Sequence, residues 1–139
     1  MNSTIFRIEP ARWPDDRPAL QQVRETVFVE EQHVPLELEW DEQDASALHL
    51  LAQDVEGNAI GTGRLLPDGH IGRMAVLKPW RGQGVGSALL IGLIEHARQQ
   101  GLAQVQLNAQ CTAVSFYERH GFEAVGEIFE DAGIPHRHM

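Results

Sequence analysis

The chain has 139 residues, 42% of them hydrophobic and 22% charged, with a formal net charge of −9. This length suits one domain, here 1–139, with a single buried core, and the charge excludes a nucleic-acid surface, whose phosphates the protein would repel. The lone Cys111 excludes an internal disulfide, while the charged Met1–Ala11 and the lack of a long apolar run predict a cytoplasmic protein with no membrane or export segment.

Ser3–Ile8 is short and β-prone and predicts a first strand. Pro14-Asp15-Asp16 supplies turn and capping chemistry ahead of a helix expected over Ala19–Glu31, with Leu20, Val23, Val27 and Phe28 on its buried face. Glu30–Asp44, broken by Pro35 and dense in carboxylates, predicts a loop. Leu48–Val55, Ala59–Leu66 and His70–Leu77 predict three strands joined by the hairpin turns Glu56-Gly57-Asn58 and Pro67-Asp68-Gly69. Pro79-Trp80 stops the third, and a glycine-rich loop leads into an amphipathic helix from Val85, ended by Gly101. Ala103–Leu107 predicts a strand parallel to the one before the loop, by right-handed crossover. A shorter helix is expected over Thr112–His120, and strands over Phe122–Phe129 and Ile134–His138. The expected class is α/β: a mixed, α+β-type sheet with helices on both faces.

The stretch from Ile71 through the glycine loop to Gly101 organises this chain. Strand, glycine loop and helix form an anion-binding device, because exposed backbone N–H groups meet the positive end of the helix dipole. No lysine follows the glycines, which excludes a Walker loop, and Ser87 stands where a dinucleotide fingerprint needs its third glycine. What remains is Q/R-x-x-G-x-G/A, met by Arg81, Gly84 and Gly86. This resembles the pyrophosphate signature of the GNAT superfamily of acyl-CoA-dependent N-acyltransferases. Ala113-x-x-Phe116-Tyr117-Glu118-Arg119-x-Gly121-Phe122 is similar to a second GNAT signature. Val27-Phe28-Val29-Glu30-Glu31-Gln32, Gly61-Thr62-Gly63-Arg64-Leu65 and Gly133-Ile134-Pro135-His136 resemble the small bacterial ElaA/YjcF-like branch.

The resemblance implies a largely antiparallel sheet whose central parallel pair splays around coenzyme A, and acetyl transfer from acetyl-CoA to a primary amine. It assigns the cofactor to Met74, Ala75 and Val76 on the strand and to Arg81, Gly82, Gln83, Gly84, Val85, Gly86 and Ser87 in the loop. A Val76 N–H aimed at the thioester oxygen would stabilise the developing oxyanion. Asn108 either lines the splayed gap or satisfies its own turn backbone. Tyr117 is the expected catalytic acid, a phenol of pKa ~10 serving a departing thiolate of pKa ~8.5. The base stays open: Ile71–Lys78 holds no carboxylate, leaving Glu39, Asp41, Asp44, His49, His136 or a water chain, residues that also border the expected acceptor side. Between Glu25 and Gly63 there is no lysine or arginine, yet ten of the twenty acidic residues lie there, predicting an acidic lip and a cationic amine or peptide terminus as acceptor. His136 and His138 share a strand face, but no third ligand stands at regular spacing, so no metal is expected. The resemblance also implies a homodimer. Two alternatives stay open, a non-catalytic acyl-CoA sensor and an enzyme similar to acyl-homoserine-lactone synthases.

Overall fold

The structure is a computed structural model that describes residues 5–36 and 42–139. In chain order its strands are β1 (Phe6–Ala11), β2 (Leu48–Asp54), β3 (Ala59–Leu65), β4 (His70–Val76), β5 (Gln106–Gln110), β6 (Val125–Asp131) and β7 (Ile134–His138). Its α-helices are α1 (Trp13–Arg24), α2 (Val85–Gln99) and α3 (Val114–Glu118). The strands form one sheet in the order β1-β2-β3-β4-β5-β7-β6. Every neighbour is antiparallel except β4 and β5, which run parallel. No helix among the described residues is long and apolar enough to cross a membrane.

Alternation along β2 places helices on both faces. Leu50 and Ala52 join Leu89, Leu90 and Leu93 of α2 in the main core. Leu51, between them, packs with Leu20 of α1 on the other face. Close contact between α2 and the sheet needs small residues. A Cβ on Gly61 would lie 3.0 Å from the Val85 side chain, and one on Gly92 only 2.8 Å from that of Leu50.

Several boundaries differ from the expected ones. Helix α1 begins at Trp13 rather than Ala19, so Pro14-Asp15-Asp16 is its first turn. Pro14 there loses nothing by lacking an N–H, and the Asp16 carboxylate accepts the Arg12 N–H at 2.9 Å. The helix then widens into a π-helical segment, Glu25–Glu31, which carries Val27 and Phe28 onto Ala75 of β4. Strand β5 lies at Gln106–Gln110, downstream of the expected Ala103–Leu107. Helix α2 ends with Leu102 N–H bonded to the Ala97 carbonyl, and Gly101 at φ 82° makes that closure possible. Residues after Gly101 are therefore spent on the cap and connection, and Asn108 falls inside the strand. The β6–β7 hairpin turns on Ala132 and Gly133, both at positive φ, which matches the sheet's right-handed twist.

Candidate active site

The site begins where β4 leaves its neighbours. Pairing with β3 runs Gly61↔Val76 and Thr62↔Ala75, then resumes at Arg64↔Gly72, so Arg73 and Met74 together face Gly63. This is a β-bulge, and Arg73 takes it up at φ 50°. On the other side, β4 pairs with β5 only at His70↔Gln106 and Ile71↔Leu107. Past that point the parallel strands part.

Backbone direction decides what faces the gap. Leu77 donates to the Ile60 carbonyl at 2.9 Å, so Gly61 and Val76 form the next, non-hydrogen-bonded pair. In an antiparallel ladder such a pair turns its N–H and C=O away from the partner. The Val76 N–H therefore points away from β3, into the gap. Across it, Leu107 exchanges both backbone bonds with Met139, at 2.9 and 2.8 Å. Asn108 is thus turned back toward β4, and of its two expected roles lining the gap fits the structure.

A cavity of about 550 Å³ occupies the opening, and one of about 450 Å³ extends to the glycine loop. Met74, Ala75, Val76, Arg81 and Tyr117 wall both. Tyr117 is buried, its ring edge-on to Phe116 and Phe122 at 5.0 and 5.9 Å. Burial pushes its phenol up to about 12. Among the described residues its hydroxyl has no hydrogen-bond partner.

The loop lies beyond the strand. Gly82 and Gly84 sit at φ 75° and 89°, and nothing stands within 4 Å of a Cβ built on either. The backbone, rather than crowding, requires glycine there. Gly84 precedes the first turn of α2, and no side chain caps it, so orphan N–H groups face outward at Val85, Gly86 and Ser87. Val85 turns its own side chain into the core, and Gln83 spends its amide on the Pro79 carbonyl at 2.9 Å. Ser87 Oγ meets His120 Nε2 at 3.1 Å. Arg81, expected to greet a phosphate, is already engaged. Its two terminal nitrogens bond Glu31 at 2.7 and 2.8 Å, and its Nε bonds the Val76 carbonyl at 2.9 Å. Hydrogen bonds from Arg81 hold the Glu31 carboxyl below its ordinary range.

The expected acceptor residues divide. His136 lines the larger cavity. Asp44 and His49 do not. Asp44 is fully buried and accepts bonds from Arg24 at 2.8 and 3.2 Å and from Arg64 at 2.8 Å. His49 Nε2 bonds the Asp44 backbone carbonyl at 2.9 Å, and its ring stacks on Trp13 at 5.0 Å. Arg24, buried on the sheet side of α1, must be answered by a carboxylate, and Asp44 supplies it. The expected acidic lip loses Asp44 to this pairing, and Glu31 is answered by Arg81. Glu39 and Asp41 lie outside the described residues. Residues the sequence left without a role line the cavity instead: Gln32, Arg64, Asp68, His70, Gln110 and Asp131. Gln110 donates to Gln32 at 2.8 Å, tying β5 to the end of the π-helical segment. Gln32 and Arg64 lie in stretches noted above for family likeness, which carries no information on side-chain direction.

A family model described as an acetyltransferase (GNAT) domain matches residues 16–139. The chain belongs to the GNAT acetyltransferase family. It is 43% identical over 121 residues to the Bacillus subtilis protein "Uncharacterized N-acetyltransferase YjcF", covering 84% of this chain and 86% of that one. Among solved structures it is similar to an acyl-CoA N-acyltransferase from Pseudomonas aeruginosa, with TM-score 0.85 and 32% identity over 97% of this chain and 98% of that one. It is also similar to Escherichia coli ElaA, with TM-score 0.85 and 28% identity over 96% and 97% of the two chains. The GNAT fold expected from the glycine loop and the Tyr117 motif is the fold observed, and the chain is an acyl-CoA-dependent N-acyltransferase.

The bulged, parting strands and the glycine loop fit an acyl-CoA. A cavity of about 550 Å³ lies between the parting strands, the loop presents N–H groups to an anion, and no neighbouring atom lies within 4 Å of a Cβ built on Gly82 or Gly84. Among the described residues no group of three or more His, Cys, Asp or Glu is placed to hold a metal.

Proposed function

We propose that this GNAT enzyme moves an acetyl group from acetyl-CoA to the primary amine of a small cationic acceptor or a peptide terminus. The observation that carries the reading is the shared cavity. A backbone N–H from Val76 and a partnerless phenol from Tyr117 face one opening between β4 and β5. The amine nitrogen attacks the thioester carbonyl, forming C–N as C–S breaks. Val76 N–H meets the developing oxyanion, and Tyr117 donates toward the departing sulfur. The acceptor's charge class rests on carboxylates. Asp131 lines the cavity, Asp68 lines it in contact with His70 at 2.9 Å, and the chain is acidic overall. Arg64 lines it too, but its charge is answered by Asp44; Arg73 is also among the lining residues.

The direct test is an amine panel, from polyamines and peptides to amino acids and sugar phosphates, with acetyl-CoA and detection of free thiol. Polyamines or peptides should turn over best, and Asp68→Asn with Asp131→Asn should raise KM for them while KM for acetyl-CoA holds. Preference for anionic amines would reject the acceptor class, and no turnover with any amine would reject the enzyme reading.

Cofactor binding at the loop has its own test. Acetyl-CoA at a hundred times its Kd should stabilise the fold by about 2.7 kcal/mol, read as a raised Tm. Gly84→Asn tolerates the left-handed backbone and serves as the uncharged control. Gly84→Asp should fold as that control does yet lose the shift, because its carboxylate meets the pyrophosphate. A full shift in Gly84→Asp would remove the loop from the site.

A further inference from the structure

We infer that His136 is the general base of the transfer, taking the proton that the acceptor amine must lose. The inference rests on the acyltransferase reading above and adds the group that β4, with no carboxylate between His70 and Val76, does not supply.

Geometry fixes both the position and the tautomer. Leu107 and Ala109 of β5 turn into the core beneath α2, so Asn108 and Gln110 occupy the opposite face. Directly paired residues share a face, which puts His136 beside Gln110, and Gln32 covers that side. Tyr117 enters the cavity from the α2 side, where it belongs to the main core. A base on one face and an acid on the other bracket the slot. That is the arrangement needed when nitrogen loses a proton and sulfur gains one.

His136 is only 9% exposed, and its Nδ1 lies 2.7 Å from the Ile134 carbonyl. A carbonyl only accepts, so Nδ1 carries the hydrogen. In the neutral ring the lone pair is then on Nε2, which has no partner among the described residues. Phe129 stacks on the ring at 5.9 Å and 26° and holds its plane. An imidazole so oriented accepts a proton without changing its donor bond. The groups around it are Phe129 and Asp131 of β6, Asn108 and Gln110 of β5, and His138 of its own strand. Arg64 and Arg73 line the same cavity. His138 is committed, its Nδ1 against the Asn108 side-chain oxygen at 2.9 Å. His70 lines the cavity too, but its Nδ1 is committed to Asp68 at 2.9 Å, where β4 and β5 are still paired.

The step balances. Nε2 takes the first proton from the ammonium and later gives it to solvent. The freed amine attacks the thioester, C–S breaks as C–N forms, and the nitrogen's second proton is matched by the one the sulfur gains through the Tyr117 hydroxyl, so amide and free thiol leave. The test uses acetyl-CoA and two amines, an alkylamine that is an ammonium at pH 7 and hydroxylamine, which is not. His136→Gln should lower kcat for the alkylamine by on the order of 10²–10⁴-fold, and lower it far less for hydroxylamine. Its rate with the alkylamine should climb about tenfold per pH unit toward the amine's own pKa, where the parent enzyme levels off. An unchanged Tm rise with acetyl-CoA shows the variant folded and loaded. Equal losses with both amines, or full activity in His136→Gln with the loss falling on His70→Gln instead, would overturn His136 as the base while leaving the acyltransferase reading intact. Absence of turnover in the parent enzyme would overturn both.

Discussion

Replacing Tyr117 by Phe is expected to lower kcat by on the order of 10²-fold or more while leaving Tm nearly unchanged. The two halves have separate reasons. Stability depends on the ring, which packs against Phe116 and Phe122 and is kept by Phe. The hydroxyl makes no hydrogen bond within the described protein, so removing it orphans no donor or acceptor there. The acid's role proposed for Tyr117 rests on the hydroxyl that Phe lacks, and Tyr117 lines the cavity. A phenol at about 12 remains neutral across any working pH and so always has its proton to offer. It is a weaker acid than the ordinary phenol of ~10 expected from sequence. The sulfur, though, leaves beside that phenol, where burial disfavours thiolate as it does phenolate, and only the difference between the two matters. One consequence is specific. The alkaline limb of the pH profile below pH ~10 belongs to other groups, so Tyr117→Phe should lower the curve without moving that limb. Undiminished kcat in this variant would leave Tyr117 as a packing residue.

Asp44→Ala should destabilise the fold by about 3–5 kcal/mol, measured by denaturant unfolding, with no need of any ligand. The variant leaves Arg24 and Arg64 inside the protein without the carboxylate that answers both. The same cluster sets the acid response. Burial works against the Asp44 charge, but the hydrogen bonds and charges of Arg24 and Arg64 outweigh it and hold the carboxyl below its usual range. That contribution is complete above the unfolded pKa of ~3.9 and is lost as pH falls through the lower folded value. Burial lowers His49, with the Asp44 backbone and charge only partly opposing. Its contribution is complete above ~6.5 and erodes as pH falls below that value, since the unfolded chain takes up the proton first. Tm should therefore decline from about pH 6.5 downward because of His49, and again below about pH 4 because of Asp44. His49→Gln should flatten the first decline and leave the second. A Tm that rises between pH 7 and pH 5 would contradict the assignment.

What the sequence determined by itself is what depends on neighbouring residues. Glycines at 82 and 84 specify a left-handed backbone, and apolar spacing from Val85 specifies a helix. Strand, loop and helix could be read in one pass, and with them the family. Tyr117 was legible for the same reason, standing within a short motif on one helix. The tertiary structure alone decided charge and direction. Arg24 and Asp44 are 20 residues apart and Arg81 and Glu31 are 50 apart, so no local pattern announces that these acids are paired rather than open to a substrate. A one-residue bulge at Arg73 and the early end of β4–β5 pairing open the slot, and neither leaves a trace in hydrophobic alternation. His136 reads from sequence as one of several candidate bases, alongside Glu39, Asp41, Asp44 and His49. It stands as the proposed base, its Nε2 without a partner among the described residues, only because β7 lies against β5 in a register that places it beside Gln110, lining the cavity. Local propensity is written in consecutive residues, whereas pairing of distant charges and strand register are settled by the energy of the assembled whole.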